Sequence, residues 1–350
     1  MKLTTHEELS SWLDSLAEAL NLIAPRTVDG MPLYRPVQHS QEVLWDFTRP
    51  ALSVKEAFFP ATERLLTIEK GNGQIRLIES LPEETRVVFG VRPCDARGVK
   101  ILDALFTAAP GDPYYARRRA NTTLVGLACR EMGPTCFCTS MGGSPDDDSN
   151  MDVMLYPIEE GYLVQAVTRK GQALLENYAL QSRELSPGQA ERKAAFVYEQ
   201  AERYPLPERS AWTAQFEDAY WDQIAERCLS CRICAYVCPT CRCFDVRDEA
   251  LSEARPNALP SGIGSSQFER IRCWDSCTGE AYRRIAGGHN PRAEKSQRLR
   301  NRFLCKFDYY PRQYALGTAA CTGCGRCIDA CPVNIDITEV MQHIAEVSQC

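Results

Sequence analysis

The residues of this chain best suited to chemistry are its thiols. The stretch "CLSCRICAYVCPTCRC", residues 228–243, puts six cysteines into sixteen positions. It contains Cys228-x2-Cys231-x2-Cys234-x3-Cys238-Pro239, and "CTGCGRCIDACP" repeats the pattern as Cys321-x2-Cys324-x2-Cys327-x3-Cys331-Pro332. Three thiolates from one tight loop can wrap a corner of a [4Fe–4S] cube, while the fourth, on the helix that begins there, ligates the other cube. The spacing predicts Cys228, Cys231, Cys234 and Cys331 on cluster 1, and Cys321, Cys324, Cys327 and Cys238 on cluster 2. Zinc is the competing reading, but zinc sites usually pair two short hooks rather than run four cysteines into a proline.

Four more thiols lie early, in "GVRPCDARG" and "LACREMGPTCFCTSMGG": Cys94, Cys129, Cys136 and Cys138. Four is the number one [4Fe–4S] cluster needs, so they are candidates for a third cluster. A zinc site, or cysteines buried as small apolar residues, are the alternatives. Cys241, Cys243, Cys273, Cys277, Cys305 and Cys350 remain. Cys241 and Cys243 follow directly on the first run. They are read as packing that tunes a cluster's potential through burial and S–H contacts, with a ligand role in a fourth site as the alternative. Cys350 is read as free.

Eighteen cysteines in 350 residues are too many for packing alone, and disulfides are unfavoured in a reducing compartment. The composition, 44% hydrophobic and 25% charged, is that of a soluble globular protein. A net charge of −6 gives no nucleic-acid footprint. No apolar run approaches the roughly 20 residues of a membrane-spanning helix. The opening "MKLTTHEELSSWLDSLAEAL" has acids inside its apolar pattern. It reads as an amphipathic helix capped by Thr5 and Glu8 rather than a signal peptide, which makes the cytoplasm the expected compartment.

The elements that must position the thiols divide the chain. The expected fold class is α+β: a mixed α/β domain over residues 1–205 with the candidate third iron–sulfur site, then a mainly helical two-cluster domain over 206–350. Residues 64–80 read as a hairpin turning at Asn72-Gly73. Strands are expected over 86–91 and 122–129, with a helix over 95–106, so Cys94 and Cys129 each follow a strand end. In open α/β sheets the carboxyl ends of strands are where sites form. A hairpin over 152–167 and helices near 170–180 and 187–203 follow. "YPLPE", residues 204–208, is a linker, and a helix over 209–227 leads into Cys228. Cys321 lies 93 positions beyond Cys228, far more than a small ferredoxin allows. Both "ERIRCWDSCTGEAYRRIAGG" in that insert and the tail "IDITEVMQHIAEV" read as helical. The basic residues Arg270, Arg272, Arg283, Arg284, Arg292, Lys295, Arg298, Arg300 and Arg302 are either a solvated face or compensation for anionic clusters. No Walker sequence or complete dinucleotide fingerprint occurs, and "GNG" is not followed by a helix. No flavin or nicotinamide site is therefore expected.

"CPTCRCFDV", "RCWDSC", "AGGHNPR", "RNRFLCKF" and "CTGCGRCIDACPVNIDI", with "FGVRPCDARGVKILD" and "LACREMGPTCFC", resemble the β subunit of cytosolic NADP-linked [NiFe] sulfhydrogenases. The anaerobic sulfite reductase A subunit is similar in layout. The resemblance implies a non-catalytic iron–sulfur relay. Electrons would pass between an FAD- and NAD(P)-binding subunit and a catalytic subunit, a [NiFe] hydrogenase or a sirohaem sulfite reductase. It also strengthens the third cluster. Cys305 stands where the sulfite reductase relatives carry histidine, which favours the hydrogenase branch. A self-contained iron–sulfur oxidoreductase and a zinc scaffold are the readings from other classes.

Overall fold

The structure is a computed structural model and describes residues 1–71, 74–186, 188, 204–251 and 266–348. Strands β1 (Lys2–Thr4), β2 (Asn21–Val28), β3 (Met31–Pro36), β4 (Thr62–Gly71), β5 (Gln74–Glu79), β6 (Arg86–Val91), β7 (Thr122–Leu127), β8 (Val153–Ile158), β9 (Gly161–Ala166), β10 (Phe244–Ala250) and β11 (Ser266–Trp274) form two sheets. Helices of six residues or more are α1 (His6–Ala19), α2 (Pro93–Phe106), α3 (Pro113–Asn121), α4 (Arg169–Asn177), α5 (Arg209–Ala214), α6 (Tyr220–Arg227), α7 (Lys295–Leu304) and α8 (Ile337–Val347).

The larger sheet has the order β1-β9-β8-β7-β6-β2-β3. Its central strands β2, β6, β7 and β8 are parallel, and its edges are antiparallel. A parallel strand covered on both faces reads as a continuous apolar run, and "RVVFGV" does so for a visible reason. Val88 and Val91 face a core completed by Val99, Leu102 and Phe106 of α2. Val87 and Phe89 face the opposite core, completed by Leu9, Trp12, Leu13 and Leu16 of α1. The Thr5–Glu8 capping box starts α1 as the sequence predicts, with the Glu8 amide donating to Thr5 Oγ1 at 3.2 Å and the Thr5 amide to Glu8 Oε2 at 2.7 Å. Helix α2 follows β6 directly, so Cys94 sits in its first turn, at the carboxyl end of the sheet.

The smaller sheet, β10-β11-β4-β5, is antiparallel throughout. It takes β4 and β5 from before residue 205 and β10 and β11 from after it. The expected 64–80 hairpin is present, while its Asn72-Gly73 turn lies outside the described residues, as does the helix expected over 187–203. The helix expected across "ERIRCW" is instead the strand β11. Alternation decides it: Arg272 points inward and pairs with Glu63 and Asp112, while its neighbour Cys273 faces Thr62 on β4. A helix would break this period of two. The 209–227 segment forms two helices, α5 and α6, rather than one.

The rest of the C-terminal part combines short helices with long loops. Trp212, Trp221, Leu299, Phe303, Phe307, Val340, Met341 and Ile344 form its core, with Trp212 stacked on Phe307 at 4.1 Å between ring centres. Helix α7 runs on into a π-helical turn, Cys305–Tyr309.

Candidate metal centres

The four early cysteines come together. Cys94, Cys129, Cys136 and Cys138 line one cavity, walled also by Arg49, Arg92, Pro145 and the Gly323–Cys324 backbone. Arg92 donates to the Leu127 and Ala128 carbonyls at 3.1 and 2.9 Å, fixing the chain just before Cys129. Arg49 Nη1 donates to Cys136 Sγ at 2.9 Å. The positive end of α2 faces the same space, which favours anionic sulfur. Burial raises the Cys94 and Cys129 thiols above their ordinary range and pushes Cys138 up to about 12. Bare thiolates there lose hydration, a cost that binding to iron would offset.

The cysteines of the two ferredoxin runs line two cavities, each with thiols from both runs. Cys228, Cys231, Cys234 and Cys331 line one cavity. Cys238, Cys321, Cys324 and Cys327 line another. The loops share a backbone: Ser230 and Gly323 are left-handed at φ +55° and +66°, and Arg232 and Gly325 at +67° and +75°. The second loop needs glycine for a further reason. A Cβ on Gly323 would lie 2.5 Å from the Phe137 carbonyl oxygen and 2.6 Å from Cys138 Cα. The Phe137 amide donates to the Gly323 carbonyl at 2.8 Å, so the "CFC" segment docks on this loop backbone to backbone.

The three cavities form a row. Cys324 lines both the third-site cavity and that of Cys238. Cys327 lines both the latter and the cavity of Cys228. Among the described residues, no three His, Cys, Asp or Glu donors converge closely enough to hold a single metal ion. The thiols stand around spaces instead.

Cations sit between these spaces. Arg302 is buried and lines the Cys228 cavity, and its Nε has no hydrogen-bond acceptor. Burial works against its charge, but the sulfurs of Cys234, Cys327, Cys241 and Cys238 hold the guanidinium well above its usual range. Lys306 Nζ donates to Cys238 Sγ at 3.1 Å and Thr240 Oγ1 at 3.0 Å. An orphaned buried guanidinium and a lysine bonded to sulfur fit an anionic iron–sulfur group in these cavities. Of the basic residues singled out in the sequence, Arg302 is thus one that compensates sulfur. Arg270, Arg284 and Arg300 pair with Asp248, Glu280 and Glu217 near the surface, and Arg272 is held by Glu63 and Asp112. Lys306, Lys55, Arg49 and Arg326 escaped sequence reading, because single basic residues far apart carry no spacing signal.

Of the remaining thiols, Cys273 lies apart, its Sγ 3.7 Å from Thr62 Oγ1, and Cys350 is outside the described residues. Cys241, Cys243, Cys277 and Cys305 lie near one another, beyond Cys238.

Residues 227–335 match the 4Fe-4S dicluster domain family. Sulfhydrogenase 2 subunit beta of Pyrococcus furiosus is 30% identical over 331 residues, covering 90% of this chain and 92% of that protein. The chain belongs to the sulfhydrogenase β-subunit family. The dicluster match makes iron–sulfur binding a property of the C-terminal part of this β subunit. No solved structure matches the chain. Among the described residues, no helix is long and apolar enough to cross a membrane.

Proposed function

We propose that this β subunit is an electron relay holding [4Fe–4S] clusters at the three cysteine-lined cavities, on the ligand sets Cys94/Cys129/Cys136/Cys138, Cys238/Cys321/Cys324/Cys327 and Cys228/Cys231/Cys234/Cys331. The observation that carries it is the row itself, in which neighbouring cavities share Cys324 and Cys327 as walls. Bound clusters would supply one-electron oxidation and reduction at each position. The chain's own residues fix the spacing, keep water out and supply cations beside the sulfurs.

Both ends of the row reach the surface, as a relay requires. At one end an open cleft lined by His6, Trp45, Phe47 and Arg130 shares Thr48, Arg92 and Glu131 with the third cavity. At the other, Cys231 is exposed and flanked by Leu229 and Ile233, 63% and 37% exposed. Apolar side chains beside a redox loop suit docking of a protein partner. The proposed partners are an FAD- and NAD(P)-binding subunit, where a flavin divides electron pairs into single electrons, and a catalytic subunit of the [NiFe] hydrogenase type. A division near residue 205, bridged by the smaller sheet, and a cytoplasmic location belong to this reading. Metal analysis of the complex that copurifies anaerobically with the chain tests the destination. Nickel supports the hydrogenase assignment, and sirohaem without nickel transfers the relay to a sulfite reductase.

A further inference from the structure

We propose that Cys241, Cys243, Cys277 and Cys305 hold a fourth iron–sulfur cluster, beside the one assigned to Cys238, Cys321, Cys324 and Cys327. The site rests on residues that the relay reading leaves unused, and it lies outside the three cavities.

The fold delivers these thiols from three directions. Cys243 immediately precedes β10, and Cys277 lies three residues beyond β11. The register pairs Phe244 with Trp274, and the Asp275 amide extends the ladder by donating to the Cys243 carbonyl at 2.9 Å. The ribbon therefore brings Cys243 and Cys277 out at the same end, where each thiol acts on the other electrostatically. Cys305 comes from the π-helical turn after α7. Such bulges recur at functional sites because they redirect side chains out of the helical register. Cys277, buried, feels the charges of Cys243, Cys241 and Cys305 together. Cys241 completes the set: Lys306 Nζ lies 3.1 Å from Cys238 Sγ and 3.5 Å from Cys241 Sγ, so the fourth site would adjoin the middle of the row.

A second observation points to an anionic occupant. Lys55 and Lys306 are 2% and 3% exposed, and neither is paired with a carboxylate among the described residues. Lys55 Nζ donates to the Tyr236 and Cys241 carbonyls, both at 3.3 Å, and Lys306 Nζ lies 3.5 Å from Cys241 Sγ. Arg242 Nη2 donates to Cys305 Sγ at 3.2 Å. Arg283 acts on Cys243 electrostatically while its Nε has no acceptor. Buried cations need a counter-charge, and besides sulfur they meet only neutral groups: carbonyls and the Trp274 ring, 3.7 Å away, for Lys55, and the Thr240 hydroxyl for Lys306. Neutral thiols would leave the lysines uncompensated, whereas a cluster with four thiolates is anionic.

The donor set also parallels the third site. That one joins the pair Cys136-x-Cys138 to two thiols distant in sequence, and this one joins Cys241-x-Cys243 to Cys277 and Cys305. The ferredoxin spacing is absent from both, which is why neither is legible as a run.

The test is iron and acid-labile sulfide content, with electron paramagnetic resonance, on the full chain purified anaerobically after cluster reconstitution. The proposal expects about sixteen irons per chain at about four per cluster. Cys277→Ala and Cys305→Ala should each remove about four irons and one reducible signal, leaving those of the other clusters. Cys305 is the less buried of the two, so its variant guards against misfolding of the first. Cys129→Ala serves as the control, since loss of the third cluster alone leaves the fourth-site count intact. Unchanged iron in both variants, or zinc in place of the additional iron, overturns the fourth cluster without touching the other three.

Discussion

Asp95 and Arg326, 231 residues apart in sequence, form a buried bidentate ion pair at 2.6 and 2.8 Å. Asp95 follows Cys94 on α2. Arg326 lies between Cys324 and Cys327. The pair therefore locks the third site to the dicluster loop, and Arg326 Nε also donates to the Pro50 carbonyl at 2.8 Å. Removing one member of such a pair strands a buried charge and costs about 3–5 kcal/mol. Asp95→Ala should lower stability by about that amount in denaturant unfolding. A loss comparable to a surface pair, under about 1 kcal/mol, would mean that the two regions are held together elsewhere.

Gly323→Ala should separate the same two regions by a different route. The added methyl would meet the Phe137 carbonyl and Cys138 backbone and would sit on a left-handed φ. The expected outcome is poorer retention of iron at both the third site and the Cys321 cluster. At Gly287, also left-handed, nothing lies within 4 Å of the added methyl, so Gly287→Ala should leave the iron content as it is. Equal iron in both variants would show that the docking does not matter to the sites.

Cys331→Ala should damage the cluster built on Cys228, Cys231 and Cys234, not the one nearest in sequence. The two centres are distinguishable by their paramagnetic signals in single-site variants. Loss of the Cys321 centre instead would reverse the crossed assignment.

Lys306→Met keeps most of the side-chain length and removes a cation 3.1 Å from Cys238 Sγ. A reduced cluster carries one more negative charge, so the lost cation should make reduction harder. The midpoint potential of the Cys238 cluster should fall by on the order of 100 mV, the size of one charge acting over several ångströms at an effective dielectric constant of about 20. An unchanged potential in a redox titration would show that Lys306 is not charged beside that cluster.

The gathering of the ferredoxin cysteines around two cavities was legible because spacing encodes geometry: Cys238 and Cys331, each the last cysteine of a run, line the cavity of the other run. The α/β part was legible where burial on two faces wrote apolar runs, as at Val87–Phe89 and Val153–Leu155. Strand β11 was not, since Arg272 is a buried charge whose partners Glu63 and Asp112 lie far away in sequence. An inward-facing arginine therefore looked like one of a solvated stripe. The joining of the two regions was also hidden. It rests on long-range contacts such as Asp95 with Arg326 and Phe137 with the Gly323 carbonyl, whose partners no local pattern connects. The grouping of Cys241, Cys243, Cys277 and Cys305 depends on the register of β10 with β11, which no spacing rule supplies.

The most direct test of the relay is a stepwise reductive titration of the anaerobically purified full chain, followed by electron paramagnetic resonance. Cavities that share Cys324 and Cys327 as walls would hold clusters close enough for their spins to interact. The account predicts reduced signals that are broadened by mutual coupling and that simplify when Cys129→Ala removes the third-site centre. Isolated, uncoupled signals, unchanged by Cys129→Ala, would contradict it.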